Sequence, residues 1–199
     1  LSTLANDPDH YGFSLALGSA DVTLLELTNA YRAIANGGTM SPPTFIPLPQ
    51  RGRARVGEIG NSTNVGMTGH LPPSLPSPAG GRSVRLFSEN TAWLLADMLS
   101  DRGARYVTFG FDNPLALSHW AAVKTGTSKD MRDNWAIGFN TRVTVGVWVG
   151  NASGAPMHNV TGITGAGPIW ADVMEAAAAK LGAGRYRDPP PGLIKRRVQ

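Results

Sequence analysis

Lys124, Thr125, Gly126 and Thr127 stand together at the end of a strand-like run and combine one ammonium, two hydroxyls and a residue without a Cβ. That set suits an anion held beside an acyl group. The lysine brings positive charge, the threonines offer hydrogen bonds to an oxyanion, and Gly126 lets the backbone of a ligand approach the strand closely. A strand margin at that point also pairs with an extended peptide. The Thr127 backbone N–H is suited to stabilise an oxyanion developing in acyl transfer, where loss of one such donor costs about 3 kcal/mol. Absent from all 199 residues is a Ser-x-x-Lys pair, the activated nucleophile that a Lys-Thr-Gly corner serves. The residues therefore predict part of an active site whose nucleophile lies off this chain.

Composition narrows the alternatives. An apolar content of 42% with 16% charged residues fits a folded globular chain of one good-sized core or two small ones. Cysteine is absent, which excludes disulfides, thiolate metal sites and cysteine nucleophiles. His10, His70, His119 and His158 are scattered without metal-site spacing and read as loop or surface residues, so no metal or other cofactor is implied. No apolar run reaches the roughly 18 residues of a membrane span, and Leu1-Ser2-Thr3 opens nothing like a signal peptide. The net charge of +4 is concentrated in Arg51, Arg53, Arg55 and in Arg185, Arg187, Lys195, Arg196 and Arg197. Those clusters lack interleaved aromatics and read as solvated loop and mobile tail, not as a nucleic-acid surface.

The elements that must position the motif follow from periodicity. Thr23-Leu24-Leu25-Glu26 is a capping box, and Leu24, Leu27, Tyr31, Ile34 and Ala35 recur at helical spacing until Gly37-Gly38. From Ser41 to about Arg85 the prolines predict only short strands and loop. Ser88 caps a second helix with Ala92, Leu95, Ala96 and Leu99 in one stripe, closing near Gly103, and a loop with Phe109, Phe111 and Pro114 follows. His119 to Thr125 reads as a strand. Trp135–Phe139 and Val143–Val149 form a hairpin through Asn140-Thr141-Arg142, with Val143, Val145, Val147 and Val149 facing a core. Pro168 opens a third helix with Ile169, Val173, Ala177 and Leu181 pointing one way. Asp188-Pro189-Pro190-Pro191-Gly192 reads as a stiff extended spacer. The fold class expected is α+β, an antiparallel sheet packed between helices.

Three stretches carry a family resemblance. They are Ser14-Leu15-Ala16-Leu17-Gly18-Ser19 with the helix through Asn29-Ala30-Tyr31 to Gly38, then Ala121 to Ser128, then Arg132-Asp133-Asn134-Trp135-Ala136-Ile137-Gly138 with Val145 to Asn151. In order and spacing the chain resembles the class A penicillin-binding proteins, the bifunctional peptidoglycan synthases, and within them the 1C type, over nearly all of its length. The resemblance implies a penicillin-binding D,D-transpeptidase fold with its N-terminal part absent. In that family a serine attacks the D-Ala-D-Ala bond of a stem peptide, D-alanine leaves, and the amine of a neighbouring stem resolves the acyl-enzyme; β-lactams trap the serine.

Carried onto this sequence, Lys124 helps hold the substrate carboxylate and tunes the nucleophile, Thr125 and Thr127 hydrogen-bond that carboxylate, and the Thr127 N–H forms half of an oxyanion hole. The implied catalytic pair is Lys124 and Thr127. The implied partners are D-Ala-D-Ala stem peptides, β-lactams and the remainder of the transpeptidase domain, in a periplasmic setting with a parent protein anchored in the inner membrane. Residues 1–187 are expected to belong to the transpeptidase domain and 188–199 to a linker towards a further domain. The family's Ser-x-x-Lys and Ser-x-Asn motifs are expected to precede Leu1; Ser88-Glu89-Asn90 and Ser62-Thr63-Asn64 match the second by letter only. Asp133 is open between steering the Lys124 strand and starting its own, Trp135 reads as a core aromatic, and Trp148 and Trp170 read as packing residues. A serine β-lactamase or D,D-carboxypeptidase relative, and a non-catalytic module binding peptidoglycan or a partner, stay open as alternatives.

Overall fold

The computed structural model describes residues 8–43 and 82–194. In chain order it contains α1 (Pro8–Tyr11), a 3-10 turn (Gly12–Leu17), α2 (Leu24–Ala35), β1 (Thr39–Met40), β2 (Val84–Arg85), α3 (Glu89–Ser100) and α4 (Arg102–Phe109). Next come β3 (Ala122–Thr127), a 3-10 turn (Lys129–Met131), β4 (Asp133–Phe139), β5 (Thr144–Gly150), a π turn (Gly162–Ala166) and α5 (Gly167–Leu181). The short strands expected around the proline-rich stretch are β1 and β2, an antiparallel pair. The prolines from Pro47 to Pro78, the cluster Arg51, Arg53 and Arg55, Ser62-Thr63-Asn64 and the tail Lys195 to Arg197 lie outside the described residues.

The central sheet is antiparallel with strand order β3-β4-β5. Alternation gives it two chemically different faces. Val123 and Ala136 look towards α5 and share a core with Trp170, Met174 and Ala166, onto which the ladder Val143, Val145, Val147 and Val149 also packs. Ala122 and Phe139 look the other way, against Ala96 of α3 with Tyr31 and Ile34 of α2 alongside. Gly138 permits this arrangement, because a Cβ there would strike the Ala122 carbonyl and the Trp170 ring. The result is the expected α+β packing, helices on both faces of an antiparallel sheet.

Helix starts follow the caps. Thr23 Oγ1 accepts the Glu26 N–H at 3.2 Å and donates to the Glu26 carboxylate, and Ser88 Oγ accepts the Thr91 N–H at 3.1 Å. Four expectations are corrected. The second helix ends at Ser100, where Asp101 Oδ1 accepts the Ala104 N–H and caps α4 in what read as a loop. The strand begins at Ala122 and runs to Thr127, since its partner β4 ends at Phe139 and residues 118–120 are held elsewhere. The buried face of α5 is Gly167, Trp170 and Met174, whereas Ile169, Val173 and Leu181 are exposed. The spacer is not extended throughout, because Leu193 N–H turns back to the Pro190 carbonyl at 3.5 Å.

Two further residues depart from the expected solvated role. The segment after α5 folds back over α2 and α3: Tyr186 stacks on Trp120 with ring centroids 4.0 Å apart, and Arg187 donates to the Ala35 carbonyl and to Glu89. His119 is a packed residue, its side chain 10% exposed and its Nδ1 3.4 Å from Glu175 Oε2. Glu175 accepts the Ser118 N–H at 2.9 Å and the Ser118 hydroxyl at 3.1 Å, so α5 pins the entry to β3.

Two predictions follow from this packing. Trp170→Ala should destabilise the full chain by about 3–5 kcal/mol in urea unfolding, while Val173→Ala costs under about 0.5 kcal/mol; equal losses would contradict the buried face. The Ser118 backbone N–H, with smaller contributions from its hydroxyl and from His119, holds the Glu175 carboxyl below the usual carboxylate range. A depressed acid contributes stability above its unfolded pKa and loses it as pH falls through the folded pKa. Glu175→Ala should therefore lower the melting temperature at pH 7, by an amount corresponding to roughly 0.5–1 kcal/mol. Melting curves recorded at successively lower pH should show wild type and variant converging below the ordinary carboxylate range.

Candidate functional site

Strand β3 is hydrogen-bonded to β4 along its whole length, from Ala122 opposite Phe139 to Thr127 opposite Asn134. No described strand pairs with its other edge. Lys124 and Thr127 are exposed on that strand, and Thr125 and Gly126 are half-buried. An unpaired strand edge offers backbone N–H and C=O groups to an extended ligand.

Alternation distributes the motif over both faces. Lys124 and Gly126 share the α2–α3 face with Trp135, and Thr125 and Thr127 share the α5 face with Val123. The groups thus converge at the strand's edge and not as one row on a face. Lys124 Nζ reaches across that edge to donate to the Thr125 carbonyl at 2.7 Å, which leaves further ammonium hydrogens for a ligand. Thr127 Oγ1 accepts the Gly162 N–H at 2.8 Å and so keeps its own O–H as a donor. Glycine is needed at 162, where a Cβ would strike the backbone of Gly126 and of Trp135. The π turn therefore lies directly behind the motif. At Gly126 itself an added Cβ would meet only Trp135 at 3.7 Å, an ordinary contact, so internal packing does not demand this glycine.

The turn that follows is locked to its own strand. Ser128 N–H donates to the Asp133 carbonyl at 2.9 Å, Asp133 N–H donates to Ser128 Oγ at 2.8 Å, and Ser128 Oγ–H donates to Asp133 Oδ2 at 2.9 Å. Asp133 Oδ1 accepts the Trp148 Nε1–H at 2.9 Å, which carries the lock on to β5. Between them Asp130 and Met131 take left-handed backbone, φ 60° and 54°. Non-glycine residues in that region store strain that surrounding contacts must hold. Asp133 is thus a residue that fixes the end of the Lys124 strand. Trp135 is half-buried, tilted against Trp148 at 6.5 Å, and Trp148 is 37% exposed, so both border the surface beside the motif. Trp170 alone of the three is a core residue.

Asn134 is fully buried opposite Thr127 with its Oδ1 unpartnered, a feature that composition and periodicity gave no reason to single out. Among the described residues no cluster of three or more His, Asp or Glu could hold a metal ion, and no helix is long and apolar enough to cross a membrane. Ser88 serves as a helix cap.

No family model matches the chain. The chain is 32% identical over 170 residues to penicillin-binding protein 2D of Bacillus subtilis, covering 82% of the chain and 21% of the relative. Penicillin-binding protein 1A of Rickettsia bellii is 30% identical over 94% of the chain and 23% of its own length. The chain belongs to the class A penicillin-binding proteins. Penicillin-binding protein 1C of Escherichia coli is also similar, 28% identical over 93% of the chain and 20% of the relative, so the 1C type expected from sequence stands among several matched types. The chain spans about a fifth of the length of these penicillin-binding proteins. The solved structure of the penicillin-binding protein PonA1 from Mycobacterium tuberculosis superposes with a TM-score of 0.58 at 20% identity, covering 94% of this chain and 48% of that one, and so shares the fold.

In this penicillin-binding fold the Ser128–Asp133 lock should be measurable. Asp133→Ala should destabilise by about 1.5–3 kcal/mol, Ser128→Ala by about 1 kcal/mol, and the double variant by clearly less than the sum. Additive losses in denaturant unfolding would show that the two residues do not act as a unit.

Proposed function

We propose that this chain is the C-terminal part of a peptidoglycan D,D-transpeptidase domain, in which the β3 edge holds the terminal carboxylate of a D-Ala-D-Ala stem peptide. The observation that carries this reading is the exposed, unpaired edge from Lys124 to Thr127, with an ammonium and a hydroxyl donor converging on it. A peptide laid antiparallel along that edge gains backbone hydrogen bonds, and its carboxylate meets Lys124 Nζ and the threonine hydroxyls.

The chemistry then divides between this chain and the rest of the domain. The serine Oγ attacks the penultimate D-alanine carbonyl, giving up its proton to a neighbouring base, and the carbonyl oxygen takes the negative charge. The Thr127 N–H and the nucleophile's own N–H stabilise that oxyanion. Collapse expels D-alanine, protonated as an amine, and an acceptor amine then displaces the serine. Lys124 contributes positive charge beside the reacting serine. Binding groups without nucleophile and base supply only part of the rate enhancement, so this chain alone is inactive.

Uncovered apolar surface supports a missing partner segment. Phe13 and Leu17 of the 3-10 turn are fully or almost fully exposed, Ile169 and Val173 leave one face of α5 bare, and β5 has no described strand on its outer edge. Exposed apolar side chains and an unpaired strand edge of this kind suit an interaction site, here for the portion carrying Ser-x-x-Lys and Ser-x-Asn. The reading extends to a cell-envelope setting, a parent anchored in the inner membrane, β-lactams as trapping ligands, and a domain end near Arg187, the last residue bonded to α2 and α3.

Labelled penicillin should leave no covalent adduct on this chain by itself and a serine adduct on the full-length protein. There, Lys124→Ala should slow acylation by about 100-fold or more. An adduct on this chain alone, or acylation unaffected by Lys124→Ala, would overturn the assignment.

A further inference from the structure

A threonine hydroxyl turns freely, so a strand alone does not fix where the Thr127 proton points. The Gly162 N–H does, by donating to Thr127 Oγ1 at 2.8 Å and taking one of its two lone pairs. What aims that N–H is the π turn Gly162–Ala166. Single π turns are frequent at functional sites.

The aim follows from peptide geometry. The Thr161 carbonyl and the Gly162 N–H belong to one planar trans peptide and so point in opposite directions. The carbonyl is held inside the turn, where it accepts the Thr164 and Gly165 N–H groups at 3.1 and 2.7 Å. The Gly162 N–H is therefore sent outward, to Thr127. The Gly162 carbonyl accepts the Gly167 N–H, and Ala166 and Trp170, both fully buried, tie the far end of the turn to the core.

Thr164 grips Thr161 from both sides. Its N–H donates to the Thr161 carbonyl, and its Oγ1 accepts the Thr161 N–H at 2.9 Å. The peptide before Thr161 and the peptide after it are thus both fixed, with Thr161 extended at φ −120° and ψ 171°. Thr164 is exposed, so its hydroxyl is not there to fill a core. Its oxygen serves the turn's shape, and the turn's shape serves Thr127.

We infer that Thr164 is a positioning residue for the proposed acyl transfer: by clamping Thr161 it aims the Gly162 N–H, which aims the Thr127 hydroxyl at the substrate carboxylate. The inference rests on the transpeptidase reading and adds to it a residue outside the Lys-Thr-Gly-Thr motif. Donors fixed before the ligand arrives need no reorganisation when it binds.

Acylation of the full-length protein by labelled penicillin, followed against penicillin concentration, tests it. Thr127→Val should slow acylation about tenfold or more, chiefly through weaker binding. Thr164→Val, which removes the acceptor oxygen, should slow it about threefold to tenfold with the same bias, and Thr164→Ser should restore it to within about twofold of wild type. In the double variant Thr127→Val with Thr164→Val the second change should add nothing, since no hydroxyl is left to aim. Losses that multiply, a wild-type rate for Thr164→Val, or Thr164→Ser as slow as Thr164→Val would overturn the inference. Thr127→Val acylated at the wild-type rate would overturn the carboxylate reading and this inference with it. Amide hydrogen exchange on the labelled chain gives a readout that needs no activity: Thr164→Val should speed exchange at Gly162 about tenfold and leave Ile137 of β4 unchanged. Unaltered protection at Gly162, or equal loss at Ile137, would contradict the positioning role.

Discussion

The register of β3 on β4, closed by the reciprocal Ser128–Asp133 hydrogen bonds, is the constraint from which the rest of the arrangement follows. Because side chains alternate, a slip of one residue would exchange the two faces of β3, turning Lys124 towards Trp170 and Val123 towards the α2–α3 face. The register is specified from both sides. Val123 and Ala136 need the α5 core, Ala122 and Phe139 need the α2–α3 core, and Gly138 leaves the room that Trp170 fills.

That double specification explains how a bare edge can be held rigidly. The strand is anchored at its entry by Ser118 on Glu175, along one side by β4, behind by the Gly162 N–H on Thr127, and at its exit by Asp133. Only the outward edge is left for a ligand. Polar groups at a site held by such surroundings lose little freedom on binding, which is how preorganised donors gain their effect in acyl transfer.

Much of this was legible in the sequence, for physical reasons. The caps at Thr23 and Ser88 and the alternating valines are local signals, and the motif itself is contiguous. What stayed hidden depends on size or on contacts distant along the chain. At α5 both rows, 170-174 continued from the Ala166 cap and 169-173-177-181, are apolar, so periodicity could not choose; the volume of Trp170 and the gap at Gly138 decide. Helix α4 has Gly103 in its first turn and no buried stripe, so only the Asp101 cap marked it. The support of Thr127 by Gly162 joins residues 35 apart in sequence.

The central claim is that the edge from Lys124 to Thr127 recognises a free carboxylate at the end of an extended peptide. Amide chemical shifts of the isotopically labelled chain, titrated with a peptide ending in D-Ala-D-Ala, test it most directly. The account predicts saturable shifts confined to Lys124 through Ser128 and the Gly162 turn, abolished when the peptide's C-terminus is amidated. Shifts of equal size with the amidated peptide, or none on β3 at saturating concentration, would contradict it.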